Sequence, residues 1–158
     1  MNKEDKYYFE CTTCGTKYEQ DEVTYLCPSC EKENTPNIPP KGILKTLYHY
    51  GMIKNSAKWH KLFDKLKGKE YRDLLPINSE RSLSWLKVGK TPLYELRSSD
   101  ILSNKKNHKF KIFLKDDSQN PTFSFKDRAS DLVCAYAKEH EINTIVAAST
   151  GNAGSSLA

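Results

Sequence analysis

The sequence predicts an α/β protein in which a small cysteine-rich module precedes the start of a parallel-sheet domain. Two observations lead to this fold class. From Phe110 onwards, apolar runs and helical stripes alternate in the order strand, loop, helix, strand, loop, helix, which is the order of a parallel α/β sheet. Nearer the N-terminus, four of the five cysteines form two C-x2-C pairs, a pattern typical of a metal-binding module.

Length and composition narrow the class further. The 158 residues suffice for one domain, or for a small domain and part of another, and contents of 37% hydrophobic and 28% charged residues are ordinary for a soluble protein. The N-terminus MNKEDKYYFE lacks the apolar core of a signal peptide, and no apolar run approaches the roughly 20 residues that span a bilayer. We therefore expect a cytoplasmic protein that does not enter membranes.

The cysteine pairs predict a structural zinc site. Twelve residues separate the two pairs, which is close to the four-cysteine zinc spacing. Four thiolates complete the tetrahedral shell of zinc and leave no open position for chemistry. Two disulfides or a redox pair are the alternative, but disulfides are rare in the cytosol, and Cys134 is expected to be an inert thiol. The predicted ligands are Cys11, Cys14, Cys27 and Cys30.

Residues 1–35 are therefore predicted to form a zinc ribbon. Gly15 can adopt the positive φ that directs backbone N–H groups at the sulfurs, and Pro28 stiffens the second pair. Between the pairs, residues 16–18 and 22–26 are expected to form a short hairpin. A module of about 40 residues buries too little surface to fold unaided, so the metal would supply the missing stability.

The next two segments are predicted to be a proline-rich linker, 36–42, and a helical lead-in, 43–90. Residues 41–72 are basic and interleaved with aromatic residues, a combination that can bind nucleic acid. One apolar stripe has helical spacing, however, with Asn55 or Ser56 as its cap and Gly68 as its stop. We therefore interpret the lysines as a solvated face and expect no nucleic-acid partner. The stripe consists of Trp59, Leu62, Phe63 and Leu66.

Lys126 is predicted to lie where a strand gives way to a helix. The run Phe110–Leu114 indicates a strand, and Asn120-Pro121 marks a turn. The helix that follows carries an apolar stripe at three- and four-residue steps. The stripe consists of Ala129, Leu132, Val133, Tyr136 and Ala137.

This position suggests a chemical role for Lys126. A lysine is unexpected in the first turn of a helix, because the positive pole of the helix disfavours a cation there by up to about 1 kcal/mol. We also expect partial burial beside Phe123 and Phe125. A lysine that can lose its proton is what Schiff-base chemistry requires. The alternative is a surface lysine with no chemical role.

A second loop offers small hydrogen-bond donors. After the apolar run Ile142–Ala148, which is predicted to be a strand, residues 149–156 read STGNAGSS and open another helix. Backbone N–H groups and hydroxyls in such a loop bind anions, and in open α/β sheets ligands bind at the carboxyl ends of strands. We therefore expect Lys126 and Asn152 to face one crevice. The alternative is an ordinary glycine-rich connection.

These motifs resemble those of threonine synthases, which are fold-type II pyridoxal-phosphate enzymes. NPTFSFKDRAS, residues 120–130, is similar to their usual NPTGSFKDRG, and STGNAGSS is similar to their SSGNAG. The segments YRDLLP and WLKVGKTPLYEL also resemble parts of the family. The resemblance covers about residues 74–158 and departs at Phe123 and Ala129, where the family usually has glycine.

The resemblance implies roles for four residues. Lys126 would form the internal aldimine with pyridoxal 5′-phosphate and then act as acid and base. Asn152 would hydrogen-bond the phenolic oxygen of the cofactor ring, and with Ser149 and Thr150 it would bind the substrate. The implied fold is a tryptophan synthase β-like parallel-sheet domain, of which 91–158 is the first part. The family's glycine-rich phosphate-binding loop is absent, so we expect the N-terminal part of a longer enzyme, inactive alone.

The implied activity is that of a pyridoxal-phosphate-dependent lyase that converts O-phosphohomoserine to threonine and phosphate. Cysteate synthases and serine or threonine dehydratases are alternatives within the same fold type. A small-molecule amino acid is the expected substrate, and a homodimer is the expected assembly of the full-length protein. One alternative belongs to another class, a zinc-ribbon docking module for nucleic acid or protein that is fused to an inactive α/β domain.

Overall fold

The computed structural model divides the chain into two compact units, Met1–Glu80 and Arg81–Ala158. It describes residues 6–55, 61, 64, 74–96 and 111–158. The first unit contains β1 (Tyr7–Cys11), β2 (Lys17–Tyr18), α1 (Pro28–Glu31), β3 (Leu44–Tyr48) and α2 (Tyr50–Asn55). The second contains β4 (Leu93–Leu96), β5 (Ile112–Lys115), α3 (Lys126–Glu139) and α4 (Asn152–Leu157). Short 3-10 helices lie at Glu80–Ser82 and Asp117–Gln119.

The first unit is built on an antiparallel sheet with the strand order β2-β1-β3. Every second residue of β1 is buried, as expected for a strand with one face on a core. Tyr7 and Phe9 pack edge to face, with their ring centroids 5.6 Å apart, and form the core with Val23. Cys11 continues this buried face of the strand. The strand therefore leads directly from the apolar core to the cysteines.

The predicted hairpin between residues 16–18 and 22–26 is wrong. Strand β2 pairs with β1 instead, with its Tyr18 opposite Phe9, and Leu26 forms an isolated bridge with Ile43. Strand β1 is a longer partner whose buried face packs on the core. Strand pairing follows such tertiary neighbours more closely than local propensity.

The predicted helical lead-in begins as a strand. Residues 44–48 form β3, which pairs with β1 along its whole length, and the short helix α2 follows it. Pairing with a buried strand thus decides the conformation of this segment. Of the predicted apolar stripe and its boundaries, Asn55 lies in α2. The other residues lie outside the described part of the chain: Ser56, Trp59, Leu62, Phe63, Leu66 and Gly68.

The predicted linker is closed into a loop by hydrogen bonds. The Asn34 side chain accepts from the Lys41 N–H at 2.7 Å and donates to the Lys41 carbonyl oxygen at 3.1 Å. The Cys27 N–H donates to the Gly42 carbonyl oxygen at 2.8 Å. These bonds return the end of the linker to the cysteines, so the segment acts as part of the cysteine module.

The second unit combines a two-stranded sheet, β4-β5, with two helices that pack on each other. The predicted strand near residues 110–114 is present as β5, and α3 begins at Lys126, so the lysine lies in the first turn of a helix as predicted. The hydroxyl oxygens of Ser130 on α3 and Ser156 on α4 are 2.5 Å apart. None of the helices within the described ranges has the length and apolar character of a membrane span.

The strand predicted for Ile142–Ala148 does not form. These residues belong to no strand, and Val146 is 90% exposed. A strand needs a neighbour that satisfies its N–H and C=O groups, and β4 and β5 pair antiparallel with each other. The structure is therefore of the α/β class, but the sheets formed by its described residues are antiparallel and not parallel as predicted.

The buried face of α3 also differs from the predicted stripe. Its buried residues are Asp127, Ser130, Ala135 and Ala137, and Ala137 is the one that the stripe contained. Small and polar side chains are buried here because they make specific contacts, such as that of Ser130 with Ser156 on α4. Apolar periodicity does not detect a face of this kind.

Candidate active site and metal centre

Lys126 is the first residue of α3, and its side chain is exposed. The hydroxyl oxygen of the buried Ser124 accepts a hydrogen bond from the Lys126 N–H at 3.2 Å. The Lys126 Nζ atom lies 4.8 Å from the centroid of the Phe125 ring. The expected partial burial is wrong, because Phe123 and Phe125 are themselves 81% and 61% exposed. The amine is therefore accessible to a small molecule.

A buried carboxylate shapes the loop in front of Lys126. Asp127 is 3% exposed, and its two oxygens accept from the N–H of Thr122, at 2.8 Å, and from the Thr122 hydroxyl. Asn120, 2% exposed, accepts from the Gly89 N–H at 2.9 Å. The turn before the lysine is thus held by two polar side chains whose burial the sequence does not predict.

An ion pair connects α3 to the residues after β5. The Arg128 guanidinium donates from Nε and Nη2 to the two Asp117 oxygens, at 2.7 and 2.8 Å. The Thr91 hydroxyl donates to the same carboxylate at 2.7 Å. These bonds, with that of Arg128 the largest cause, hold the pKa of Asp117 well below its usual range, and the pair raises the pKa of Arg128.

Thr91 is a residue of this network that the sequence does not reveal. Residues 91–93 carry no chemical motif, yet Thr91 is 7% exposed and bonded to Asp117. The sequence did contain a sign of an ion pair. Two acidic residues, Asp116 and Asp117, directly follow a strand, and the basic Arg128 lies on the next helix. The pairing itself needs the tertiary structure, because Asp117 lies 26 positions after Thr91 in the chain.

The structure brings the lysine and the second loop together around one open cleft of about 710 Å³. Ligand pockets typically have volumes of roughly 300–1,000 Å³. Ser149 and Thr150 lie before α4, and Asn152 is its first residue. The cleft is lined by Lys126, Ala148, Ser149, Thr150, Gly151, Asn152 and Ala153.

Within the cleft, Ser149 gives the loop its shape. Its hydroxyl oxygen accepts from the N–H groups of Gly151, at 3.2 Å, and Gly154, at 3.0 Å. The hydroxyl itself donates to the Gly151 carbonyl oxygen at the long distance of 3.3 Å. An exposed primary amine across a small cleft from hydroxyl and amide groups is a donor set that fits an aldehyde with an anionic substrate.

The four predicted zinc ligands converge in the first unit. Their sulfur atoms all lie within 4.8 Å of one another, with Cys11 and Cys30 Sγ 3.9 Å apart and Cys14 and Cys27 Sγ 3.7 Å apart. Four sulfurs about 2.3 Å from one zinc ion would be about 3.8 Å apart. All five cysteines are free, so the structure does not support the disulfide alternative. The cluster fits one tetrahedral ion.

Local backbone geometry places these sulfurs. Gly15 has φ +74°, the positive value expected from the sequence, and the N–H groups of Thr13 and Cys14 lie 3.4 and 3.5 Å from the Cys11 sulfur. Pro28 occupies the first turn of α1, which directly follows Cys27. Each C-x2-C pair is therefore built by a local turn.

Two hydroxyl groups bias the protonation of the cluster. The Tyr18 hydroxyl, 3.0 Å from the Cys27 sulfur, is the largest cause that lowers the pKa of Cys27, to about 6, while the contact raises the pKa of Tyr18 to about 12. The Thr16 hydroxyl lowers the pKa of Cys14. The contact with Cys14, followed by burial, raises the pKa of Cys30 to about 12. A bound cation would favour the thiolate form of every cysteine.

Comparisons with known proteins agree with the two motifs. Residues 85–158 match the model of the family described as "Pyridoxal-phosphate dependent enzyme". The chain is 36% identical to the threonine synthase of Methanosarcina acetivorans over 96% of this chain and 33% of that protein. It is 32% identical to the threonine synthase of Methanocaldococcus jannaschii over 94% of this chain and 33% of that protein. The predicted resemblance to threonine synthases is thereby confirmed.

The comparisons also define how far the similarity extends. The chain spans about a third of the length of these two threonine synthases. A 2-amino-4-ketopentanoate thiolase beta subunit of Acetoanaerobium sticklandii is 36% identical over 45% of this chain and 16% of that protein. No solved structure matches the chain significantly. The shorter match shows that similarity over half the chain does not separate one reaction from another.

Proposed function

Because residues 85–158 match the pyridoxal-phosphate dependent enzymes, we propose that this chain is part of a lyase of threonine synthase type. The activity would convert O-phosphohomoserine to threonine and phosphate. The observation that carries the proposal is the cleft in which the exposed amine of Lys126 and the loop of residues 148–153 lie together. Cysteate synthases and serine or threonine dehydratases remain the alternatives of the same fold type.

Each cleft residue has a task that suits its chemistry. When bound, pyridoxal phosphate supplies the electron sink that stabilises negative charge on the substrate. Lys126 would hold the aldehyde of the cofactor, and its free amine would accept and return protons. The Asn152 amide would donate to the cofactor. The Thr150 hydroxyl and free N–H groups of the loop would bind the substrate carboxylate.

Ser149 would combine two tasks. Its oxygen accepts from the N–H groups of Gly151 and Gly154, which holds the loop in position. Its hydroxyl donates to the Gly151 carbonyl oxygen, with 3.3 Å between the two oxygen atoms. A substrate carboxylate is a stronger acceptor than a carbonyl at that distance, so the hydroxyl would turn to the substrate without disturbing the loop.

The proposed attachment of the cofactor to Lys126 is tested on the full-length protein. After incubation with pyridoxal phosphate and reduction with borohydride, mass spectrometry should find the cofactor on Lys126, and Lys126→Ala should lose both the label and the cofactor absorbance. Lys138→Ala is the matched control, because this exposed lysine lies on the same helix. A label on another lysine, or an unlabelled protein, would contradict the proposal.

The reaction is tested by its products. Threonine and inorganic phosphate formed from O-phosphohomoserine would support the threonine synthase assignment. Ammonia and a keto acid formed from serine or threonine would instead identify a dehydratase. Both assays use unreduced protein loaded with pyridoxal phosphate, from a preparation in which a separate, reduced sample carries the label on Lys126, because protein without the cofactor lacks the electron sink.

The first unit would bind one structural zinc ion through Cys11, Cys14, Cys27 and Cys30. The support for this is the set of sulfur distances and the burial of three of the four cysteines. Four thiolates leave no open coordination position, so the metal stabilises the fold and takes no part in catalysis. Metal analysis should find about one zinc ion per chain, and a zinc-free, folded protein would reject the assignment.

A further inference from the structure

Two hydroxyl groups from one edge of the sheet lie against two of the four sulfurs. The Thr16 hydroxyl oxygen is 3.1 Å from the Cys14 sulfur, and the Tyr18 hydroxyl oxygen is 3.0 Å from the Cys27 sulfur. Residues i and i+2 of an extended segment share a face. Lys17, which lies between them, places its Nζ 5.2 Å from the ring centroid of Tyr8 instead.

We propose that Thr16 and Tyr18 are positioning residues of the metal site, and that their hydroxyl groups donate hydrogen bonds to bound thiolates. The inference rests on the zinc site proposed above. It adds that β2 and the residue before it, which supply no ligand, control how tightly the site holds its ion.

The charge of the site explains why such donors are needed. Four thiolates around one divalent cation leave a net charge of about −2, and burying charge is unfavourable unless hydrogen bonds compensate it. The Cys11 sulfur has the N–H groups of Thr13 and Cys14 within 3.5 Å. The hydroxyl groups of Thr16 and Tyr18 supply donors to two further sulfurs. Outer donors of this kind orient the ligands of a metal and change its affinity.

The pairing of β2 with β1 sets the position of both hydroxyls. The Cys11 N–H donates to the Thr16 carbonyl oxygen at 2.9 Å, and Tyr18 lies opposite Phe9 in the register of the two strands. The Tyr18 ring packs against both the apolar core and the cysteine cluster. Its hydroxyl is therefore placed by the same contacts that hold the sheet together.

The two hydroxyls differ in how easily water can replace them. Cys27 is fully buried, with 0% of its surface exposed, so removal of the Tyr18 hydroxyl leaves its sulfur without a substitute from solvent. Cys14 and Thr16 are exposed, and water can take the place of the Thr16 hydroxyl. The structure thus predicts a larger effect for Tyr18 than for Thr16.

Competition between the 158-residue chain and a chromophoric zinc chelator measures the effect. Tyr18→Phe keeps the packed ring and should weaken zinc retention about 10- to 100-fold. Thr16→Val should weaken it by only about threefold, and Thr16→Ser should restore it. Tyr25→Phe is the matched control and should change nothing, because Tyr25 is a tyrosine of the same unit with 70% exposure.

Cobalt substitution separates a donor from a merely structural residue. Loss of a hydrogen bond raises the donor strength of the thiolate, so the sulfur-to-cobalt charge-transfer band of Tyr18→Phe should move to longer wavelength. An unchanged band together with unchanged zinc retention overturns the inference. If Tyr18→Phe does not fold with saturating metal, the Thr16 variants provide the test instead. Equal zinc retention in Thr16→Val, Thr16→Ser and the parent chain would then overturn the inference. A parent chain that binds no zinc instead rejects the metal site itself.

Discussion

Gly42 lies so close to Cys30 that a side chain at this position would crowd the cysteine. A methyl group on Gly42 would lie 3.1 Å from Cys30 Cβ and 3.2 Å from the Cys27 nitrogen. Its φ is +84°, a conformation that glycine adopts without strain. The Gly42 N–H also donates to the Thr13 hydroxyl at 3.0 Å. One glycine after the proline-rich segment therefore closes the cysteine cluster from outside the two C-x2-C pairs.

Gly42→Ala should therefore weaken both zinc retention and the thermal stability of the first unit. Gly15→Ala is the matched control, because Gly15 also has a positive φ, +74°, but a methyl group there would meet nothing within 4 Å. Backbone strain alone should cost about 1–2 kcal/mol at either position, and crowding adds to it at Gly42. Chelator competition and thermal unfolding measure the difference, and equal losses in the two variants would show that crowding is unimportant.

Metal removal should loosen the first unit selectively. The cysteine cluster continues the buried face of β1, so loss of the ion removes the constraint at one end of the sheet. Hydrogen exchange after treatment with a chelator should show loss of protection in β1 and β3, while the amides of α3 keep theirs. Zinc added back should restore the pattern. Protection that is unchanged in β1 would mean that the sheet does not depend on the metal.

Asp127→Asn should destabilise the second unit by about 1–3 kcal/mol, since Asp127 accepts two hydrogen bonds from Thr122 and an asparagine offers only one oxygen. The Thr122 hydroxyl would have to turn and accept from the new amide, so its hydrogen bond to a charged oxygen is lost. Asp131→Asn is the matched control on the same helix, because Asp131 accepts from the Ser84 N–H through one oxygen and the asparagine oxygen can replace it. Urea unfolding should separate the two variants, and similar midpoints would rule out this role of Asp127.

Phe123→Gly should stabilise the second unit by about 1 kcal/mol, because Phe123 has φ +60° and a non-glycine residue in this conformation is strained. The ring is 81% exposed, so its removal forfeits little burial. Phe123→Ala is the control, since it removes the ring but keeps the strain. If urea unfolding gives Phe123→Gly and Phe123→Ala the same stability, the change in stability comes from removal of the ring and not from relief of backbone strain.

The Asp117–Arg128 pair predicts a pH-dependent contribution to stability. The pKa of Asp117 is lowered in the folded chain, chiefly by Arg128, so the contribution is complete above the ordinary aspartate pKa of about 3.9 and is lost as the pH falls below it. Asp117→Asn should lower the melting temperature by a few degrees at pH 7, and the difference from the parent chain should shrink below about pH 4. A difference that stays constant down to about pH 3 would contradict the ion-pair explanation.

Short-range patterns predicted two local features well. The turn at Asn120-Pro121 and the stripe after it located the start of α3 at Lys126, and the C-x2-C spacing located the four sulfurs. Both features depend on residues a few positions apart, whose geometry the backbone dictates locally. The buried contacts of Thr91, Asn120 and Asp127 escaped prediction, because a polar residue gives no periodic sign of the partner that allows its burial.

The sequence by itself determined that four cysteines form two C-x2-C pairs, that Lys126 lies near the start of a helix, and which glycine turns the first cysteine pair, since each depends on neighbours along the chain. Only the tertiary structure decided that β1 pairs with β3 and that Ile142–Ala148 forms no strand, and it brought Lys126 and Asn152 to one cleft, as expected, without the parallel strands from which that cleft was predicted. Those outcomes depend on contacts between distant segments. Alternative pairings of such segments have similar local energies, so packing and hydrogen-bond satisfaction over the whole unit select among them.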